Sequence, residues 1–225
     1  MEIWSEGKTK TVWKTAPDLL LLVFKDTVTG IGQTIDPGGN EVVGQIEGKG
    51  LASLKMSSYF FKKLAEAGIS THYLESDLKK GTMLVKQAET FGAGLEFICR
   101  LQAMGSFVQR YGKYVESGEP LDYLVEITIK DDQQGDPLIN EASIVQLNLM
   151  TETELRKTVE LTKQITYLIN KILQTKGLDL IDIKLEFGKI VGQIALIDEI
   201  SGDNMRVSKE GKILTQKELS SLICG

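Results

Sequence analysis

Two residue patterns in this sequence are suited to holding phosphate and a metal ion. The run Asp182-Ile-Lys184-Leu-Glu186-Phe187 alternates charge with apolar residues, so in a strand Asp182, Lys184 and Glu186 project from one face. Asp198-Glu199 ends the next apolar run. A hairpin between the two runs brings Glu186 and Asp198 within reach of one hard cation, and a solvated outer face is the other reading of the same charges. Paired oxygen ligands suit Mg2+ bound together with substrate phosphates, with the Lys184 ammonium beside them. The second pattern is Arg100, Gly105-Ser106, Arg110 and the late Arg206. Together they make a phosphate cluster, whereas each arginine alone suits a surface ion pair.

Other signals are weaker. Gly7-Lys8-Thr9-Lys10 lies between two short strand-like runs, where a tight glycine turn either offers two ammonium groups and backbone N–H groups to an anion or forms a solvated hairpin edge. The segment Gly44-x-x-x-Gly48-Lys49 is one residue short of a phosphate loop, Gly50 stands where such a loop needs Ser or Thr, and no G-x-G-x-x-G occurs. His72 is the single histidine, which excludes a His-rich zinc hydrolase. Its place between a helix-like and a strand-like segment suits a structural role better than a catalytic one.

The elements that must position these residues follow from the pattern of the rest. Of 225 residues 42% are hydrophobic and 25% charged, the profile of a folded chain with room for one large or two small domains. With 26 Lys+Arg against 31 Asp+Glu the net charge is −5, so no overall field favours nucleic acid or an anionic membrane, and an anionic ligand needs a local basic cluster. Cys99 and Cys224 form no paired motif, no leading apolar run resembles a signal peptide, and no apolar run approaches the ~20 residues of a membrane span, so a cytoplasmic protein is expected.

Short strands are expected at residues 4–6, 11–15 and 19–25, and a glycine-rich stretch over 30–50 leads into a helix that stops at Gly68. Strands at 82–86 and 96–101 flank a connection at 89–94, which places a boundary near Gln87 between a β-rich lobe, 1–87, and an α+β lobe, 88–225. A strand at 123–129 then runs into an acidic turn at 131–137. Thr151-x-x-Glu154 has the spacing of a capping box ahead of a helix with the apolar stripe Leu155, Val159, Thr162, Ile165, Leu168, Ile169 and Ile172. Strands at 180–186 and 193–198 complete a mixed α+β chain.

Taken together, Glu6-Gly-Lys-Thr-Lys10, Phe24-Lys-Asp26, Gly48-Lys-Gly50, Arg100-x-x-Ala-x-Gly-Ser106-x-x-x-Arg110, Lys130-Asp-Asp-x-x-x-Asp136-Pro137, Asp182-x-Lys-x-Glu-Phe-Gly188 and Asp198-Glu-x-Ser201 resemble, in order and spacing, the SAICAR synthetase family. The resemblance spans nearly the whole chain. It implies a two-lobed fold whose first lobe, an antiparallel sheet, looks like the small lobe of protein kinases, with ATP between the lobes. It also implies a ligase of purine biosynthesis that joins carboxyaminoimidazole ribonucleotide to L-aspartate through an acyl phosphate.

By the same resemblance Lys8 and Lys10 form the nucleotide-phosphate turn, Lys86 to Ala88 the adenine-side connector, and Glu186 and Asp198 the magnesium ligands. Arg100, Ser106, Arg206 and Asp203 fall on the ribonucleotide side. Lys184 lies beside the reacting carboxylate, with Asp136 and Asp182 as acidic residues of the active site. ATP, Mg2+ and small-molecule substrates are the implied ligands, with a homo-oligomer as a further expectation.

The chain departs from the family pattern at Ile31, where an aspartate is usual between two glycines, and at Gly135, often a histidine. It departs again at Ile197, often glycine, at Gly202, usually proline, and at Thr215-Gln216-Lys217, often Asp-Lys-Asp. These positions keep open a paralogous ligase for another amine or azole acid. An inactive nucleotide-binding homologue is the third reading, against which Lys8, Lys10, Lys184, Glu186 and Asp198 speak.

Overall fold

Every strand ladder in the computed structural model is antiparallel; it describes residues 1–32, 34–37, 39 and 41–225, with Ile31 described by its backbone. The three short strands expected at the start are present as the antiparallel meander β1 (Glu2–Glu6), β2 (Lys10–Ala16) and β3 (Leu19–Phe24). The glycine-rich stretch is not merely a lead-in to a helix. It carries β4 (Thr27–Ile31), β5 (Thr34–Ile35) and β6 (Glu41–Gln45), a small separate sheet in the order β5-β4-β6.

Helix α1 (Lys49–Glu66) follows and buries Leu54, Met56, Phe60, Phe61 and Leu64. Its N-terminus has no side-chain cap of its own. Asp26 takes that role from the loop after β3, its carboxylate accepting from Gly48 N at 3.0 Å and Gly50 N at 2.9 Å. A β-carbon at Gly50 would lie 2.9 Å from the carbonyl oxygens of Phe24 and Lys25, so the Phe24-Lys-Asp26 and Gly48-Lys-Gly50 motifs are two halves of one joint. Then β7 (Tyr73–Asp77) and β8 (Thr82–Lys86) complete a sheet in the order β1-β2-β3-β8-β7.

Sheet membership changes after Lys86. Strands β9 (Glu89–Thr90), β10 (Leu95–Gln102), β11 (Pro120–Ile129), β12 (Asp179–Ile190), β13 (Gln193–Ile197), β14 (Met205–Lys209) and β15 (Lys212–Ile213) form one sheet around β12. The 12 residues of β12 are shared: residues 182–186 pair β10, 179–183 pair β14, and 186–190 pair β13. Helices α2 (Ser106–Tyr111) and α3 (Glu141–Gln146) are short, and α4 (Glu152–Gln174) is the long one.

Helix α4 starts at the Thr151–Glu154 capping box and packs against β10, β11 and β12. Its buried face runs through Leu155, Thr158, Thr162, Ile165, Thr166, Ile169 and Leu173, which shifts the expected stripe toward the threonines. Each of these hydroxyls donates at 2.8 Å to the carbonyl four residues back, so a polar side chain enters the core with its donor satisfied. Helix α5 (Gln216–Cys224), for which no helix was expected, returns to pack on α1. One core runs from Leu22 to Ile223 beneath both sheets. Among the described residues no helix is long and apolar enough to cross a membrane.

Candidate active site

The face of β12 opposite Ile183, Leu185 and Phe187 forms the floor of a cleft. Register sets its charges side by side: Asp182, Lys184 and Glu186 lie opposite Arg100, Ile98 and Glu96 of β10, and Asp182 lies opposite Arg206 of β14. Strand β11 adds Glu126 and Thr128 to the same row. Two adjoining cavities, one larger than the other, open over this floor, and they share Pro37, Glu96, Lys184 and Asn204.

The larger cavity is lined by the turn of residues 5–10 and by Lys130, Asp132, Glu186, Asp198 and Glu199. Gly7 N donates to Lys10 O at 2.8 Å, closing the turn between β1 and β2. Lys8 Nζ meets Asp132 at 2.6 Å, and Lys10 Nζ meets Asp198 at 3.0 Å and also Glu199. Lys130 Nζ reaches both oxygens of Glu186, at 2.6 and 2.8 Å. The hairpin expected from sequence is present, since Glu186 pairs with Ile197 and Asp198 follows directly at a φ of 66°.

Burial opposes the Asp198 charge, yet Lys10 and Lys130 outweigh it and hold that carboxyl well below the usual range. Burial pushes Glu186 up, and Lys130 opposes this only in part. His72, buried, has its Nε2 3.0 Å from the carbonyl oxygen of Asp198 and so fixes the backbone that presents this carboxylate. Desolvation pushes the imidazole down to about 4, so it is neutral there and acts as a donor. Among the described residues no three His, Cys, Asp or Glu side chains gather around a metal position. Two carboxylates facing one cavity fit a cation that takes its other oxygens from phosphate and water.

The smaller cavity is lined by arginines. Arg100 donates from Nε to Glu126 at 2.7 Å, from Nη1 to Asp182 at 3.0 Å and from Nη2 to Ser106 Oγ at 3.1 Å. Arg206 Nη1 meets the same Asp182 at 2.6 Å, and its Nη2 meets Asp36. Burial raises the Asp182 carboxyl even though two guanidiniums face it. Asp182 thus aims Arg100 and Arg206 into one space. Gly105 permits the arrangement: its φ is 58°, and a β-carbon there would sit 2.8 Å from Arg206 Nη2. Arg110 caps the row by gripping Glu126 at 2.7 and 2.8 Å.

Lys184 stands where the cavities meet, held by Glu96 at 2.6 Å. Burial works against its charge, and Glu96 and Glu186 more than compensate, so the ammonium titrates above its ordinary range. Asp136 lines the smaller cavity next to Gly135, its Oδ1 accepting from Asp131 N at 2.8 Å. Asp203 reaches the larger cavity, but its carboxylate is taken by Lys49 at 2.6 Å, Ser53 at 2.8 Å and Gln216 at 3.3 Å. Lys86, exposed at the end of β8, and Ala88, whose methyl lies against Gly188, line neither cavity.

The departures divide in the same way. Thr215 caps α5, Gln216 braces Asp203 and Lys217 donates to Glu47 O at 3.0 Å, so this segment docks a helix outside the cavities. Gly135 alone of the departures lines one, while the Ile31 side chain lies outside the described residues. Sequence reasoning missed Glu96, Glu126 and Asp36, and it had Lys130 only as part of the acidic-turn motif, without its pairing to Glu186. The first two carried a usable signal, because Glu96 and Arg100 sit at even spacing on one strand, as do Glu126 and Thr128.

A family profile described as SAICAR synthetase matches residues 3–221. A phosphoribosylaminoimidazole-succinocarboxamide synthase of Clostridium tetani is 45% identical over 225 residues, covering 99% of each chain. The protein of the same description in Methanopyrus kandleri is 37% identical over 206 residues, covering 89% of this chain and 78% of its own. A solved SAICAR synthetase in complex with ADP superposes with a TM-score of 0.85 at 31% identity, covering 95% of this chain and 88% of that one. The corresponding synthase structure from Ehrlichia chaffeensis gives 0.86 at 29% identity, covering 97% and 90%.

Proposed function

The chain belongs to the SAICAR synthetase family, and from that premise we propose that its cleft joins carboxyaminoimidazole ribonucleotide to L-aspartate at the expense of ATP, through an acyl phosphate. As an enzyme it is an ATP-dependent ligase of purine biosynthesis. The observation that carries the finer reading is the division of one floor into a lysine–carboxylate half and an arginine half, with Lys184 at their junction.

In this reading the triphosphate lies in the larger cavity, where Lys8 and Lys10 exchange Asp132 and Asp198 for phosphate oxygens. Glu186 and Asp198, released from their lysines, are the residues that would hold Mg2+. When bound, the ion neutralises phosphate charge that the lysines leave uncompensated. Arg100, Ser106 and Arg206 hold the 5′-phosphate of the ribonucleotide in the smaller cavity, which directs its carboxylate toward Lys184.

A carboxylate is a poor electrophile. Its oxygen attacks the γ-phosphorus, the bond to the bridging oxygen breaks and ADP leaves. The aspartate amine then attacks the acyl carbon, inorganic phosphate leaves with the C–O bonding pair, and the amine gives up a proton, for which Asp136 supplies a carboxylate at the cavity wall. Lys184 stabilises the negative charge at the carboxylate in both steps.

The test is ADP release by the purified protein with ATP, magnesium, carboxyaminoimidazole ribonucleotide and a panel of amino acids. Turnover fastest with L-aspartate supports the reading. Turnover with another amine, or only with another azole acid, moves the chain to a paralogous ligase.

A further inference from the structure

Of the carboxylates ion-paired with arginine in this half of the cleft, one does not come from the floor. Three guanidiniums, Arg100, Arg110 and Arg206, are ion-paired there with three carboxylates, Asp182, Glu126 and Asp36. Asp182 and Glu126 are rooted in β12 and β11 with side chains 5% and 9% exposed. Asp36 is different: it follows β5 of the small sheet, its side chain is 24% exposed, and its backbone is held by Thr29 O at 3.0 Å and Gly39 N at 2.9 Å. It reaches across to Arg206 Nη2, the terminal nitrogen that Asp182 leaves over.

With Asp36 in place these six groups carry no net charge, and a dianion entering the cavity meets an arginine whose second donor is already taken. Removing Asp36 leaves the set one positive charge in excess. Resting on the reading that Arg206 binds the acceptor phosphate, we propose that Asp36 sets the affinity of the acceptor subsite: it is an internal competitor that the phosphate must displace from Arg206. A phosphate dianion carries enough charge to do so. An acceptor lacking the phosphate leaves Asp36 in place, so the competition lowers affinity for phosphorylated acceptors alone. Between ligands the Asp36 carboxylate keeps a buried guanidinium paired.

The experiment compares the parent with Asp36→Asn and, as a second variant, Asp36→Ser. The readouts are the half-saturating concentrations of ribonucleotide and ATP and the inhibition constant of ribose 5-phosphate against the ribonucleotide. The expected result is a fall of roughly 5- to 10-fold in the ribonucleotide and ribose 5-phosphate constants, as for loss of a competing charged hydrogen bond, with the ATP constant within about twofold of the parent. Unchanged or raised ribonucleotide and ribose 5-phosphate constants overturn the proposal.

Arg206→Ala, alone and combined with Asp36→Asn, separates this outcome from a failure of the underlying reading. If Arg206→Ala leaves the ribonucleotide constant unmoved, the phosphate assignment itself falls. If it raises that constant and Asp36→Asn has no effect in the parent, only the role of Asp36 falls. The proposal further requires that Asp36→Asn lose its effect in the Arg206→Ala background.

Discussion

The two halves of the cleft hold their charges in different ways. In the arginine half, planar guanidiniums are locked by carboxylates from the same sheet, Asp182 alone fixing both Arg100 and Arg206. In the lysine half, point charges come from separate elements, Lys8 and Lys10 from the turn after β1, Lys130 from the end of β11 and Lys184 from β12, with Lys8, Lys130 and Lys184 each on one carboxylate and Lys10 between Asp198 and Glu199. A fork held at two points keeps its orientation, whereas an ammonium group on a flexible stem changes partners at little cost. The difference fits the two phosphates assigned to the cleft. In the proposed reaction one only anchors a substrate, and the other is broken from its leaving group and changes charge.

The largest effect that sharpens this contrast is expected at the carboxylate pair. Glu186→Gln keeps the shape and a hydrogen-bond partner for Lys130 but removes the charge, and kcat should fall by roughly a hundred- to a thousandfold or more with the melting temperature close to the parent's. Steady-state ADP release beside a thermal melt checks it. Near-parental turnover at saturating ATP and magnesium would remove Glu186 from the metal site.

Not every lysine near the cleft belongs to the exchangeable set, and Lys49 marks the boundary. Its side chain is fully buried against Asp203 at 2.6 Å. Lys49→Met leaves that carboxylate buried with Ser53 and Gln216 as its remaining partners, and denaturant unfolding should show a loss of about 3–5 kcal/mol. By contrast the Lys8–Asp132 pair is partly exposed, and Lys8→Ala should cost about 1 kcal/mol of stability or less. Equal losses in the two variants would erase the distinction between a structural and an exchangeable lysine.

Much of this was legible wherever the signal was local. The capping box at Thr151 predicted α4, and the alternation of Asp182, Lys184 and Glu186 predicted both their common face and the hairpin to Asp198. The same Thr-x-x-Glu signature at Thr215 and Glu218 was available to predict α5. What stayed hidden was set by register between distant segments. Arg100 lies 82 residues from Asp182, and Asp36 lies 170 from Arg206, so no spacing rule could pair them. The small sheet was hidden for another reason: Gly30 and Gly44 interrupt the β-branched runs Thr27-Val-Thr29 and Val42-Val43, and β5 is only two residues long, so no run reaches the length that marks strands elsewhere.

His72 probes the lysine half through pH. Its ordinary value of 6.5 is depressed to about 4 in the folded protein, so below 6.5 the unfolded chain takes up a proton that the folded one refuses. Stability therefore falls as pH drops through that window, by roughly 3 kcal/mol between pH 6.5 and 4. His72→Gln keeps an N–H donor for Asp198 O and removes the titration, so the stability of the parent relative to the variant should fall by about that amount as pH drops from 6.5 to 4. A difference that is flat from pH 7 to 4 contradicts a buried neutral imidazole.

The most direct test of the division itself is a crossed pair of small substitutions read by one assay. Lys8→Ala and Ser106→Ala are each measured for half-saturation by ATP and by the ribonucleotide in steady-state ADP release. The account predicts that Lys8→Ala raises the ATP constant by about tenfold, that Ser106→Ala raises the ribonucleotide constant by a few-fold to about tenfold, and that each leaves the other constant within about twofold. Both constants moving together in either variant, or moving in the opposite assignment, would contradict a cleft split into a nucleotide half and an acceptor half.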